Sequence, residues 1–343
     1  MNSNRGAILQ PYWDLVLANI KSDVLRVAIE WDLFRYLDKP TETAIVAARF
    51  RLDPENTGYM LDILWSMGLL SRESGEPVRY ATQAVAQKYF RSDAAQYLGD
   101  AFLFRLRGIR HFGSRLADQV RSGAIYSQAD GAHTTQENWA KAAGLQIGQE
   151  QRAVTVDAVM ALMKRIPEFQ SGGRLLDLGS GPGLIAIAML QACPAFSGEV
   201  FDFPETVKVA QHNIHQAGLG KRLQVRSGDL VVDPIGENFD FIWCSSVLHF
   251  VPDINDALEK IWAALKPGGV FVSAHAEVPT TATEAEKVLP YYLSMQMKRN
   301  HVTRKGELSL AMATIGFTQI DQYDDIAFPV APVSVLVARK EAV

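Results

Sequence analysis

Three aspartates have types and spacing that point to chemistry. Asp177 precedes a glycine-rich run in "LLDLGSGPG", Asp202 stands in "FDFPE" and Asp229 in "SGDL". Each ends a short apolar segment, which predicts a carboxylate at the carboxyl end of three successive strands. Gly179, Gly181 and Gly183 let the backbone turn sharply and approach a ligand, with a helix N-terminus behind them. Dinucleotides use the same device, but the carboxylates shift the balance. Asp177 suits an ammonium better than a diphosphate, and Asp202 can accept from both hydroxyls of a ribose. Asp229 can accept from an adenine amino group, with Leu230 against the ring. Hydrogen bonds to charged acceptors contribute about 1.5–3 kcal/mol each, so three in series favour a cationic nucleoside. A fourth apolar run, "FDFIWCSSVLHFVPD", carries Ser245 at its end and His249 just beyond it. An imidazole titrating near neutrality can move a proton there.

These residues need elements to position them. From Gly173 onward, short apolar strands alternate with helices: "GRLLDLGS", "SGEVFDF", "RLQVRSGD", "FDFIWCSS", "GGVFVSAHAE", "TQIDQYDD" and "PVSVLVARK". Helices are predicted to start near Leu184, Pro204, Pro234 and Asp253. The pattern is that of an α/β fold with a doubly wound, mostly parallel, seven-stranded sheet, its last two strands forming an antiparallel pair at one edge. Residues 8 to about 165 read instead as helices, including 94–106 and 145–165, with apolar residues at helical spacing. Within them, a helix, a turn at Asp53-Pro54, a second helix ending at Gly68 and a Gly75/Pro77 hairpin look like a winged helix-turn-helix. From Leu52 through Ser71 this segment carries Glu55 and Asp62 and neither lysine nor arginine. Phosphate contacts supply most non-specific DNA affinity, so no nucleic-acid partner is expected, and packing or dimerisation is the better reading.

The bulk numbers agree. A chain of 343 residues, 48% of them apolar, has length for two domains, and a net charge of −4 gives no field suited to nucleic acid or anionic membrane. The two cysteines, Cys193 and Cys244, build neither a disulfide framework nor a thiolate zinc site. With no signal-like leader and no charge-free run of membrane-spanning length, the expectation is a cytoplasmic protein without a membrane partner.

The motif series "DLGSGPG", "FDFPE", "SGDL", "FDFIWCSSVLHFVPD" and "LKPGGVFV" resembles the class I S-adenosylmethionine (SAM) methyltransferases of the plant caffeate O-methyltransferase type and their bacterial relatives. The resemblance implies a helical, winged-helix-like dimerisation domain over 1–113, connecting helices over 114–165 that contribute to the acceptor pocket, and a SAM-binding catalytic domain over 166–343. It also implies a homodimer acting on a small molecule. Asp177, Gly179, Gly181, Gly183, Asp202, Asp229, Leu230 and Ser245 would surround the donor. His249 occupies the family's general-base position.

Where that family places carboxylates around the base, this chain has His275 in "SAHAE" and His301 in "RNHVTRKGE". Three neutral imidazoles facing one pocket would suit a divalent or ferric ion, zinc or iron. His249, His275 and His301 are therefore the expected metal ligands and catalytic residues, with Asp253 or Glu277 as substitutes for His275. His212 and His215, three apart on an outer helix, read as a solvated face. So arranged, the chain resembles the metal-dependent 2-oxo acid C-methyltransferases of secondary and antibiotic metabolism. That resemblance implies methylation at C3 through a metal-bound enolate, with 5-guanidino-2-oxopentanoate as favoured acceptor. Arg105, Arg107 or Arg299 would pair with its carboxylate, and Glu277, Glu137 or Asp130 with its guanidinium. Met295 and Met297 read as helix packing. The alternative is a metal-free O-methyltransferase with His249 as base.

Overall fold

The computed structural model describes residues 5–123 and 135–342, and the side chains of all these except 5–7 and 135. The chain divides into two compact units, Met1–Ile109 and Arg110–Val343.

The first unit opens with a helix, Arg5–Glu30, followed by a short one, Leu33–Tyr36. Strands β1 (Thr41–Glu42), β2 (Leu70–Glu73) and β3 (Arg79–Thr82) form an antiparallel sheet in the order β1-β3-β2. Helices Thr43–Phe50 and Pro54–Ser66 lie between β1 and β2, which is the winged-helix arrangement. Asp53 starts the second of these helices by accepting the Asn56 N–H at 2.8 Å, and Pro54 supplies a preset φ in the first turn. Asp62 on this helix receives the Tyr80 hydroxyl at 2.8 Å and faces Arg72. The core gathers Phe34, Leu61, Leu64 and Leu70. The first helix has a different character, because Ile8, Tyr12, Trp13, Leu15, Val16 and Ile20 are all more than half exposed.

The second unit holds β4 (Gly173–Leu178), β5 (Phe196–Asp202), β6 (Leu223–Ser227), β7 (Phe239–Ser245), β8 (Leu265–His275), β9 (Phe317–Ile326) and β10 (Val333–Lys340). Their order is β6-β5-β4-β7-β8-β10-β9. The first five strands run parallel, and β10 lies antiparallel between β8 and β9. Strands β4, β7 and β8 are continuous apolar runs because both sheet faces are covered. One core contains Phe169, Phe196 and Phe241; the other contains Phe239, Phe271 and Phe317. The chain builds outward from β4 through β5 to β6, then returns to place β7 and β8 on the other side of β4. That reversal is the switch point at which open α/β sheets hold ligands.

Helices begin at Leu184, Pro204 and Ile254, as the sequence predicts, but residues 231–238 form no helix. Turns replace it: the Asp229 carboxylate accepts the Val231 N–H, Asp233 accepts the Asp229 N–H, and Ile235 is buried in the core. The helix expected over 94–106 is Gly99–Ser114. The one expected over 145–165 begins at Thr135 and runs to Met163 through two π-helical turns, Ala143–Ile147 and Gln151–Thr155. Among the described residues, no helix is long and apolar enough to cross a membrane.

Phe241, 1% exposed, packs its ring 6.1 Å from Phe169 and 5.8 Å from Phe196. Phe241→Ala should lower unfolding stability by about 3–5 kcal/mol in a denaturant titration.

Candidate active site

The loop that follows β4 turns through three left-handed glycines, with φ of 72° at Gly179, 55° at Gly181 and 73° at Gly183. A Cβ on Gly179 would lie 2.2 Å from Cγ2 of Val247, in the loop after β7. Only glycine lets these two loops meet. The first π-helical turn approaches as well, with Ile147 Cγ2 3.6 Å from where a Gly181 Cβ would stand. From β5, Asp202 ties the loop down: Oδ2 accepts the Gly181 N–H and Oδ1 the Phe203 N–H, each at 2.8 Å. Desolvation raises its pKa, opposed by these bonds. The Thr206 side chain acts on this carboxylate in the same direction as those bonds.

Asp177 is 2% exposed. It accepts the Ala186 N–H, yet Oδ2 is buried without a partner, and burial pushes its pKa up to about 7. Ser180 Oγ is likewise buried and unpartnered. Asp229 is half-buried, Leu230 is packed into the core, and half-buried Ser245 ends β7 opposite Ala274 of β8.

His249 sits in a 3-10 turn, Leu248–Phe250, at 6% exposure. Its Nε2 is buried with no hydrogen-bond partner, and desolvation lowers its pKa to about 4, so the ring is neutral at neutral pH. Aromatic rings surround it: Phe250 at 4.2 Å, Tyr292 at 5.9 Å and His275 at 6.3 Å between centroids. Trp139 stands edge-on to Phe250 at 5.0 Å, and Tyr291 to Tyr292 at the same distance.

The other two histidines do not complete a metal site, and here the sequence reading is corrected. His275 is buried, and its Nε2 accepts the N–H groups of Val247 and Leu248, each at 3.0 Å. Its Nδ1 lies 2.8 Å from Ser273 Oγ. Burial, with His249 nearby, holds its pKa well below the ordinary value. His301 is about half exposed, with Nε2 2.6 Å from Glu307 Oε1. Both ring nitrogens of His275 and the Nε2 of His301 are thus committed within the chain, and the three rings do not share an ion. Nor do the proposed substitutes join them: Asp253 caps a helix through the Asn255 N–H, and buried Glu277 accepts the Gly306 N–H at 3.2 Å through Oε1, its Oε2 having no partner. Among the described residues, no group of three or more His, Cys, Asp or Glu is arranged to hold a metal.

The remaining candidates are placed less tellingly. His212, His215 and Glu137 are exposed, and Arg299 is exposed with its guanidinium toward the Gly123 carbonyl. Arg105 and Arg107 lie in the first unit, half-buried and exposed respectively. Met295 packs on the core and Met297 is half-buried. Asp130 lies outside the described residues.

Sequence reasoning named the segments of Trp139, Tyr292, Phe250 and Ser273 but gave none of these side chains a role. It also missed a buried pair in the π-helical segment, Gln146 Nε2 donating to Glu150 Oε2 at 2.9 Å. Short π turns, which gather at functional sites, leave no period to read.

A family model described as the O-methyltransferase domain matches residues 114–317, and one for the O-methyltransferase dimerisation domain matches 13–92. The chain belongs to the O-methyltransferase family. It is a methyltransferase, with the mostly parallel seven-stranded sheet of that fold. Among similar proteins, this O-methyltransferase-family chain is 27% identical to the N,N-dimethyltransferase OxyT of Streptomyces rimosus, over 86% of this chain and 84% of that one. It is 26% identical to an uncharacterized protein of Methanocaldococcus jannaschii, over 73% of this chain but only 65% of that protein. Human N-acetylserotonin methyltransferase, solved in complex with SAM, has the same fold: TM-score 0.79, 22% identity, and full coverage of both chains.

Two outcomes follow from this geometry. Gly179→Ala forces a side chain into Val247 at a positive φ, so a markedly lower melting temperature is expected. For Asp177, ionisation in the folded state costs stability that is absent below pH 3.8, grows as pH rises and is complete above about 7. A pKa raised from 3.8 to about 7 corresponds to about 4 kcal/mol at most. Asp177→Asn should therefore melt higher than the unaltered protein at pH 8, with the gap closing toward pH 4. An unchanged gap across that range would contradict the assignment.

Proposed function

We propose that this enzyme transfers a methyl group from SAM to a hydroxyl oxygen of an aromatic small molecule of secondary metabolism, with His249 as general base. The observation that carries this reading is the His249 Nε2: buried, neutral, facing no partner, and ringed by aromatic side chains. Buried polar atoms are normally satisfied, and an acceptor hydroxyl donating to this nitrogen would satisfy it. Phe250, Tyr292 and Trp139 offer apolar faces and edges for a planar acceptor.

SAM fits the residues present. An unpartnered Asp177 oxygen suits its ammonium, the Asp202 carboxylate suits its ribose, and Asp229, Leu230 and Ser245 would border its adenine. The left-handed glycines leave room for close approach. When bound, SAM supplies a methyl group on positively charged sulfur. This chain's own contribution is to orient the acceptor and to take its proton at Nε2 as the oxygen becomes a nucleophile.

Methylation at C3 of a 2-oxo acid through a metal-bound enolate had three imidazoles sharing one ion as its premise. The hydrogen bonds of His275 and His301 remove that premise, so oxygen methylation is the reading adopted. We also propose a homodimer. The dimerisation-family match over 13–92 supports it, as does the exposed apolar surface of the first helix, which includes Tyr12, Trp13, Val16 and Ile20.

His249→Ala should lower kcat for a phenolic acceptor by about 10²–10⁴-fold, while SAM affinity measured by calorimetry stays within a factor of two or so. Retained activity would remove the base. Trp13→Asp should shift the solution mass, measured by light scattering, from dimer to monomer. A dimer that persists would argue that the first helix lies outside the interface.

A further inference from the structure

From these contacts we infer that His275 is a positioning residue, acting as an uncharged hydrogen-bond acceptor that holds the turn carrying His249. The inference rests on the reading of His249 as base. It begins with two backbone donors. The N–H groups of Val247 and Leu248 open the 3-10 turn Leu248–Phe250, where no earlier carbonyl of the turn can receive them. Both point at one atom, His275 Nε2, at 3.0 Å each. A nitrogen that accepts two N–H groups cannot also carry a hydrogen. The proton of the neutral ring therefore sits on Nδ1, which donates to Ser273 Oγ at 2.8 Å.

Sheet register makes the arrangement possible. Ser273 and His275 are two apart on β8 and so project from one face, and Cys244 pairs with Ser273 while Ser245 pairs with Ala274. The ring is thereby carried one step past the end of the β7 pairing, under the loop that leaves that strand. Ser273 is completely buried and His275 nearly so, which leaves water little access to replace either contact. A ring bearing hydrogen on Nε2 would set donor against donor and release the turn. Because His249 is the next residue after Leu248, the direction of its imidazole follows from how that turn is held. A carboxylate could accept the same two bonds. An imidazole does so without adding a negative charge beside His249, whose neutral form the base reading requires.

Two measurements decide it. First, the ¹⁵N chemical shifts of the His275 ring, assigned by comparison with His275→Gln, should report the Nδ1–H tautomer throughout pH 6–8. Hydrogen on Nε2, or a charged ring in that range, overturns the inference whatever His249 does. Second, kcat, acceptor KM, SAM affinity and melting temperature are compared for His275→Leu and His275→Gln. Leucine fills the space without an acceptor, whereas glutamine can offer Oε1 to both N–H groups. His275→Leu should lose about 10–100-fold in kcat, the scale of a misplaced catalytic group, with SAM affinity and acceptor KM little changed. His275→Gln should recover most of that loss. Wild-type kcat in the leucine variant, or equal losses in both variants, overturns the positioning assignment. His249→Ala in the same series separates the two ideas, since normal activity there ends the base reading while the tautomer result still judges His275.

Discussion

The missing side chain at Gly179 is the constraint on which the site depends. Strands β4 and β7 are neighbours at the point where the sheet reverses its winding, and the loops that leave them must occupy adjoining space. Val247 fills that space so closely that even a methyl group on Gly179 would overlap it. The contact joins two structures with different tasks: the glycine-rich cradle on one side, and on the other the turn that carries His249. Asp202 reinforces the first from β5 through the Gly181 N–H, and His275 reinforces the second from β8. Four parallel strands thus meet in one crevice, each contributing a single polar group or turn.

Dryness sets the charge states in that crevice. Burial lowers the pKa of His249 and His275 and raises those of Asp177 and Asp202, so at each of these groups the charged form is disfavoured before any ligand arrives. A cationic donor would restore charge to Asp177, and a hydroxylated acceptor would supply what His249 lacks. Two of the buried unpartnered atoms, Asp177 Oδ2 at the β4 end and His249 Nε2 beyond the β7 end, fit the donor and the acceptor respectively.

Much of this was legible in the sequence, for identifiable reasons. Parallel strands buried on both faces must be apolar runs, so β4, β7 and β8 declared themselves; Asp177 stood out near the end of β4, Asp202 at the end of β5 and His249 just beyond β7. Asp53 and Pro54 announced a helix start by local chemistry alone. What could not be read was how a histidine spends its nitrogens. His275 serves as a hydrogen-bond acceptor because the β7–β8 register brings its ring beneath two backbone N–H groups. His301 pairs with Glu307, six residues on, through a turn that no periodicity reveals. The helix expected at Pro234 fails for a related reason: Asp229 and Asp233 form local hydrogen bonds with the backbone that compete with helical ones.

The central claim is that His249 waits in the pocket as a neutral, desolvated base. The direct test is the pH dependence of kcat/KM for the acceptor at saturating donor, which reports groups before the acceptor binds. Burial keeps the proton off this ring until about pH 4, so the rate should hold a plateau from pH 8 down through 6 and fall only as pH approaches that value. A decline centred near 6.5, the ordinary range of an exposed histidine, would contradict the account.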